Sequence, residues 1–382
     1  MWTIWPEKVG PAEVIPTVGN RSPTASGANG YPPVMVHSPG EPQKTEDAVS
    51  SVSYKTYLGS LCRPLTPAEE DRIAAESKHD PRILAGLALT GSLRAKEWLE
   101  EALRQAPDDP LVLYSILARM DTGFDRLMLA RKFVKLVPDD AEPLYAAANE
   151  ALKAGDRNAA IAFLREAAGR ENYSSLYQAG VDAKLNVYRL AGYSEQNALA
   201  RIYLDDGATL ADFALIDLNN TFEPFDRAFV ISPGNEEVAA LLLDGMQKAS
   251  SSPGRTLASY EMASQLEFSY LRAFTRSSVG GDNPIATARY LATPAAEMLA
   301  QANAERQEFY PVGYFAHDKP GVYQRLTSDE QIELLQRVQR DGELPAYQWA
   351  YQLHPNIFRS PDFVPRGFSQ KFWIENFQMT TR

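Results

Sequence analysis

One cysteine, Cys62, stands in 382 residues. An intrachain disulfide is therefore impossible, and metal sites built from paired cysteines are excluded. Histidine is scarce too: His37, His79, His317 and His354 lie far apart, none with a second His or Cys at a ligand spacing. No metal and no cofactor are expected from that pattern. Basic residues are outnumbered, 38 Lys and Arg against 49 Asp and Glu, for a formal net charge of −11. That argues against a nucleic-acid partner, which usually meets a basic patch. No apolar run reaches the roughly 18–20 residues that cross a bilayer, so no transmembrane segment is expected. A basic n-region followed by an apolar h-region is missing, so no secretory signal is read. Strand-type alternation is nowhere sustained, and the chain reads as all-α. Gly280-Gly281-Asp282 lacks the flanking Lys and Ser/Thr of a phosphate-binding loop, and no serine sits in a Gly-x-Ser-x-Gly elbow.

What is present divides into three stretches. Residues 1–64 are rich in Pro, Gly, Ser and Thr and read as a flexible arm, because so few apolar groups cannot offset the entropy of ordering it. Trp2, Ile4 and Trp5 form a short apolar start. They are consistent with the remnant of a removed anchor behind an added Met. A Pro-rich arm ahead of a helical body suggests an anchored or exported bacterial protein, periplasmic or in the cell envelope. Residues 65–206 carry repeated helix signals. Thr66-Pro67 with Glu69 makes an N-cap, a first-turn proline and a capping box, and Asp80-Pro81 repeats the cap and proline. Helices are expected over 68–77, 82–89, 95–105, 111–120 and 126–137. Residues 207–382 are expected to be helical, with Thr209, Asn235 and Thr327 as N-caps, an aromatic loop at 309–324 and a tail rich in Phe.

The densest pattern lies at 141–172. Leu144, Ala147, Ala148 and Ala151 share one helical face, and Ala160, Leu164 and Ala167 share another. Gly155-Asp156 separates them, with Gly155 suited to a left-handed cap and Asp156 to the turn. These residues resemble a tetratricopeptide repeat, a helix–turn–helix unit of 34 residues. Asn149 and Lys153 fall at the ninth and thirteenth positions. Ala151 stands where a tyrosine is usual, and Asn172 where a proline usually closes the unit. Ala95, Leu99, Ala102 and Pro107 match the second half of an earlier unit. The closures Pro107-Asp108-Asp109 and Pro138-Asp139-Asp140 lie 31 residues apart, so the hairpin between them is shortened. A degenerate fourth hairpin is expected around Gly192.

The resemblance implies an α-solenoid of helical hairpins, followed by the aromatic-rich helical region. It implies a non-catalytic scaffold that binds a protein partner, or a subunit of an assembly. The partner segment would lie in a groove lined by first helices, with Glu142, Tyr145, Asn149, Leu152 and Lys153 facing it. Neighbouring units lack matching basic positions, so a clamp for a terminal carboxylate is not expected. Two other readings stand beside this one. An envelope protein could bind carbohydrate or another small ligand by stacking it on Tyr310, Tyr314, Phe315, Trp349 and Tyr351. An α-helical enzyme could use a dispersed site, with His317-Asp318 the one His–carboxylate neighbour pair in a suitable loop. The paired acids Asp205-Asp206 and Glu236-Glu237 are read as helix-end residues.

Overall fold

The computed structural model describes residues 54–119, 123–173, 176–205, 209–225, 231–252 and 319–355, and part of 256–273. Among these residues the regular structure is helical, with two isolated β-bridges and no strand. None of these helices is long and apolar enough to cross a membrane.

The first helix, α1 (Tyr54–Leu61), lies inside the stretch expected to be an arm. Its Leu58 and the following Cys62 are buried; Tyr54, Tyr57, Leu58 and Leu61 stand at the i, i+3, i+4, i+7 spacing of a helix face, a short signal at the end of a long Pro- and Ser-rich stretch. Next come α2 (Pro67–Glu76), α3 (Pro81–Leu89), α4 (Ala95–Gln105), α5 (Pro110–Ala118) and α6 (Arg126–Leu136). They start where the cap signals sit. The Thr66 hydroxyl accepts from the Glu69 N–H while the Glu69 carboxylate accepts from the Thr66 N–H, and Asp80 and Asp109 cap α3 and α5 ahead of their first-turn prolines.

The hairpin α7 (Glu142–Lys153) and α8 (Arg157–Ala168) follows. Gly155 turns the chain at φ +83°, which a side chain would disfavour, and Asp156 caps α8 by accepting from the Ala159 N–H. Leu144, Ala147, Ala148 and Ala151 are buried, as are Ala160, Leu164 and Ala167. Small side chains at both faces let the two helices approach closely. Asp140 does not itself occupy the cap position of α7, but its carboxylate accepts from the Glu142 N–H at 2.9 Å and does the same work.

Beyond α8 the hairpins do not simply continue. Helix α9 (Tyr177–Leu190) folds back onto α3, and α10 (Glu195–Asp205) pairs with α9. The approach of α9 to α3 is set by Gly86. A methyl group there would meet the Ala183 carbonyl oxygen at 2.6 Å and a Val187 methyl at 2.9 Å. Helix α11 (Leu210–Phe222) lies on α7, also touching α5, and α12 (Glu236–Ser251) lies on α8 and α11. Thr209 caps α11 in a capping box with Asp212. Asn235 precedes α12 but its side chain makes no cap hydrogen bond; it accepts from Arg157 and donates to the Phe222 carbonyl instead.

Three further helices complete the description: α13 (Lys319–Arg325), α14 (Ser328–Asp341) and α15 (Glu343–Leu353). Helix α13 lies partly in the stretch expected to be an aromatic loop. Pro320 falls in its first turn, where proline costs no hydrogen bond, so the Pro-Gly composition was compatible with a helix. Buried Lys319 donates to both carboxylate oxygens of buried Glu343 at 2.8 and 2.7 Å and to the Tyr203 carbonyl at 3.2 Å. The Leu257 N–H donates to the same carboxylate at 2.8 Å. This buried pair therefore ties α13 and α15 to the end of α10 and to the 256–273 stretch.

Among the described residues the core falls into three clusters. One joins α2 to α7 with α9, one joins α7, α8, α11 and α12, and one joins α1, α9, α10 and α13 to α15. Helix α9 serves two of them, with Ala183 and Val187 toward α3 and Val181, Leu185 and Tyr188 toward the third cluster.

Candidate functional site

Of the five residues expected to face a groove, the structure buries three almost entirely. Glu142, Tyr145 and Asn149 are 0%, 1% and 6% exposed. Leu152 is half-buried and Lys153 exposed. What covers them is a helix of the same chain. The Glu142 carboxylate accepts from the Ala211 N–H at 3.4 Å, at the positive end of α11. Asn149 donates from Nδ2 to an Asp217 carboxylate oxygen at 3.2 Å, and the Lys153 ammonium lies 3.0 Å from that oxygen. The Tyr145 ring packs against the Tyr173 ring at 5.8 Å between centroids. The face read from the sequence as an open groove is thus filled at α7 by α11. The reason is the helix's composition: ten consecutive residues of α7, Glu142 to Ala151, are buried, and ten residues span nearly three turns, so both faces need cover.

The start of α11 is a buried polar hub. Asp212 accepts from the Thr209 N–H at 2.7 Å, the Thr209 hydroxyl at 2.8 Å and the Tyr173 hydroxyl at 2.7 Å, and also from the Ser259 hydroxyl. Burial pushes the Asp212 carboxyl above its ordinary range, even though all four donors favour the charged form. Burial, and then the Asp212 charge, push the Tyr173 phenol well above its usual value. The hub fastens α11 to the loop after α8 and to the stretch after α12. Asp212 and its four donors satisfy one another, and that arrangement serves structure.

A small cleft opens where α11 meets α5 and α7. Its volume is about 80 Å³, with Leu117, Ala118, Ala146, Leu210, Phe213 and Ala214 as apolar lining and Arg126, Asn149, Glu150, Lys153 and Asp217 as polar lining. The charges there are paired. Arg126 holds Glu150 at 3.0 Å while its other nitrogens donate to the Ile116, Leu117 and Arg119 carbonyls. A cation on the last carbonyls of α5 complements that helix's negative end. Asn149 Oδ1 is buried without a hydrogen-bond partner. Drug-sized sites are several times larger than this cleft.

The residues of the ligand-binding reading are not brought together in the described part. Trp349 is half-buried under the Arg337 guanidinium, 4.8 Å from its ring centroid. Tyr351 is half-buried against the third cluster. Tyr310, Tyr314 and Phe315 lie outside the described residues, as do His317 and Asp318. His79 and His354 face Glu101 and Glu330 at 2.8 and 3.0 Å. Among the described residues no group of three or more His, Cys, Asp or Glu is disposed to hold a metal ion. Sequence reasoning missed Arg126, Glu150, Phe213 and Asp217. The Asn149–Asp217 pair spans 68 residues, and no local pattern marks so distant a partner. Comparison with protein-family models, curated proteins and solved structures yields no match.

Proposed function

We propose that this chain is a non-catalytic scaffold of tetratricopeptide-like hairpins whose repeat face is already occupied by the chain's own helix. The observation that carries the reading is the seat of α11 on α7. An amphipathic helix lies on a first helix through small apolar residues, with Asn149 and Lys153 on Asp217 and Glu142 on the helix start. That is helix-in-groove recognition carried out within one chain. The hairpin series α3–α4, α5–α6 and α7–α8 supports the same reading, since α3 and α4 pack on α5 and α6 packs on α7, each hairpin resting on the next as repeat units do. A protein partner then docks beside α11, on the surface the internal helix leaves open.

The test is capture by the full chain from an extract of the source organism, followed by mass measurement of the purified complex. A partner of fixed stoichiometry is expected, retained by wild type and by Asp217→Ala alike if it docks beside α11. Capture that rises in Asp217→Ala would mean that the partner competes with α11 for the α7 face. A chain that holds no protein of fixed stoichiometry in either form sinks the scaffold reading.

A further inference from the structure

We propose that the outward face of α6 is a docking surface for an acidic segment of a partner protein. It is a contact separate from the rim beside α11 and goes beyond the scaffold reading. Met128, Arg131, Lys132 and Lys135 stand at i, i+3, i+4 and i+7, one face over two turns. Met128 is 57% exposed, Arg131 and Lys135 are exposed and Lys132 is partly so, while Leu129, Ala130 and Phe133 of the same helix are buried. Arg126, the fourth cation of α6, is turned inward onto Glu150 and the last carbonyls of α5.

The sign of this face sets it apart. No acid lies between Asp125 and Asp139, in a chain of net charge −11. The outward faces of the other second helices are mixed, with Lys96, Glu97, Glu100 and Arg104 exposed on α4 and Arg165 and Glu166 on α8. Exposed arginines elsewhere hold an acid: Arg72 holds Glu76, Arg82 holds Asp109 and Arg165 holds Glu237. On the α6 face only Lys132 does so, with Asp108 at 2.7 Å. Arg131 and Lys135 make no ion pair among the described residues. Lys135 lies in the last turn, where the helix dipole favours a cation. Arg131 gains nothing from that dipole, and at i, i+4 it repels Lys135. Carboxylates repeating once per helical turn would relieve that repulsion and meet all three cations along about 10 Å of helix. Met128 adds an adaptable apolar contact beside them. A nucleic acid fits less well, since its sites gather about 6–10 phosphate contacts. A membrane surface needs a broad apolar face, and here the exposed apolar side chains are Met128 and Leu136.

The experiment uses the full chain labelled with 13C at its methionine methyl groups, the Met128 signal being assigned by its loss in Met128→Leu. The probes are a helical peptide with glutamate at i, i+3, i+4 and i+7 of one face, the same peptide with glutamine there, and vesicles of an anionic phospholipid. The glutamate peptide is expected to shift the Met128 signal in a saturable way that weakens with added salt, and to leave the other methionine signals in place. The double variant Arg131→Gln with Lys135→Gln should bind it about tenfold more weakly, the effect of losing two exposed charge pairs. No shift, an equal shift with the glutamine peptide, shifts spread over all methionines, or full binding by the double variant overturns the proposal. Vesicles that move Met128 where the peptide does not would overturn it in favour of a membrane. Peptide binding by a chain that captures no partner would sink the scaffold reading alone, and capture without peptide binding would sink this surface alone.

Discussion

The first and second helices of the hairpins live in different surroundings. In α5, the seven residues from Leu111 to Leu117 are all buried, and in α3 the five from Leu84 to Ala88. Their partners α6 and α4 bury only one stripe, Leu129, Ala130 and Phe133 in the one and Ala95, Trp98, Leu99 and Ala102 in the other. A helix with one apolar stripe needs one neighbour, and a helix apolar all round needs neighbours on every side. Helices α9 and α11 supply those extra neighbours to α3 and α7. The face that could have received a foreign segment is therefore spent on the chain's own stability.

The contrast can be broken most sharply in the core. Leu113→Ala in α5 should cost about 2–5 kcal/mol, because a side chain enclosed on all sides leaves a cavity. Leu103→Ala in α4, at a half-buried position, should cost about 1 kcal/mol or less, a surface-like value. Urea unfolding of the two variants measures the gap, and equal costs would erase the distinction between the helix classes. Gly86→Ala comes next. Glycine-to-alanine in a helix ordinarily stabilises, yet here the methyl group meets the Ala183 carbonyl, so a loss of about 1–3 kcal/mol is expected from overpacking. A gain in stability would show that α9 is not pressed onto α3 as described.

Acid titration separates the buried seam from the outer surface by sign. Asp212 has a carboxyl raised above its unfolded value by burial. The protonated form is favoured in the fold, so its contribution is fullest below the unfolded value and is lost as pH rises through the folded one. Glu237 behaves oppositely. Its hydrogen bond to Arg165 holds it below the ordinary carboxylate range, so its contribution is present above the unfolded value and is lost as pH falls through the folded one. Melting temperatures followed across the acid range should show the first slope vanish in Asp212→Asn and the second in Glu237→Gln. The same slope in a variant and the wild type would remove that group from the account. The smallest effect is expected at the rim of the seam. Asp217→Ala should cost about 1 kcal/mol or less, since Lys153 and Asp217 are both partly in water. Chemical unfolding would test it, and a loss as large as that of Leu113→Ala would mean that the ion pair, not the apolar contact, holds α11.

Much of the helical plan could be read from local chemistry. Thr66 with Glu69, Thr209 and Thr327 cap helices where their hydroxyls suggested, and Gly155 and Asp156 make the expected turn. These signals act over three or four residues, the range in which a cap or a turn is decided. Helix α1 carries only the short face Tyr54, Tyr57, Leu58 and Leu61 beside a Pro-rich stretch, and Leu58 packs into a core cluster built from distant residues. Residues 319–324, the described part of the expected aromatic loop, are helical because Pro320 falls in the first turn, where a proline is tolerated. Among the candidate residues, Asn149 and Lys153 were recognisable as polar positions on α7, but their partner Asp217 was not.

Amino-acid order alone settled that the described chain is helical, where most of its helices begin, and which alanines and leucines form the α7–α8 seam, because caps, turns and periodicity are short-range. Whether the face of α7 looks onto solvent or onto another helix was left to the folded state. That depended on how α9 and α11 return across the molecule, and the energy of such a return comes from surfaces brought together over tens of residues.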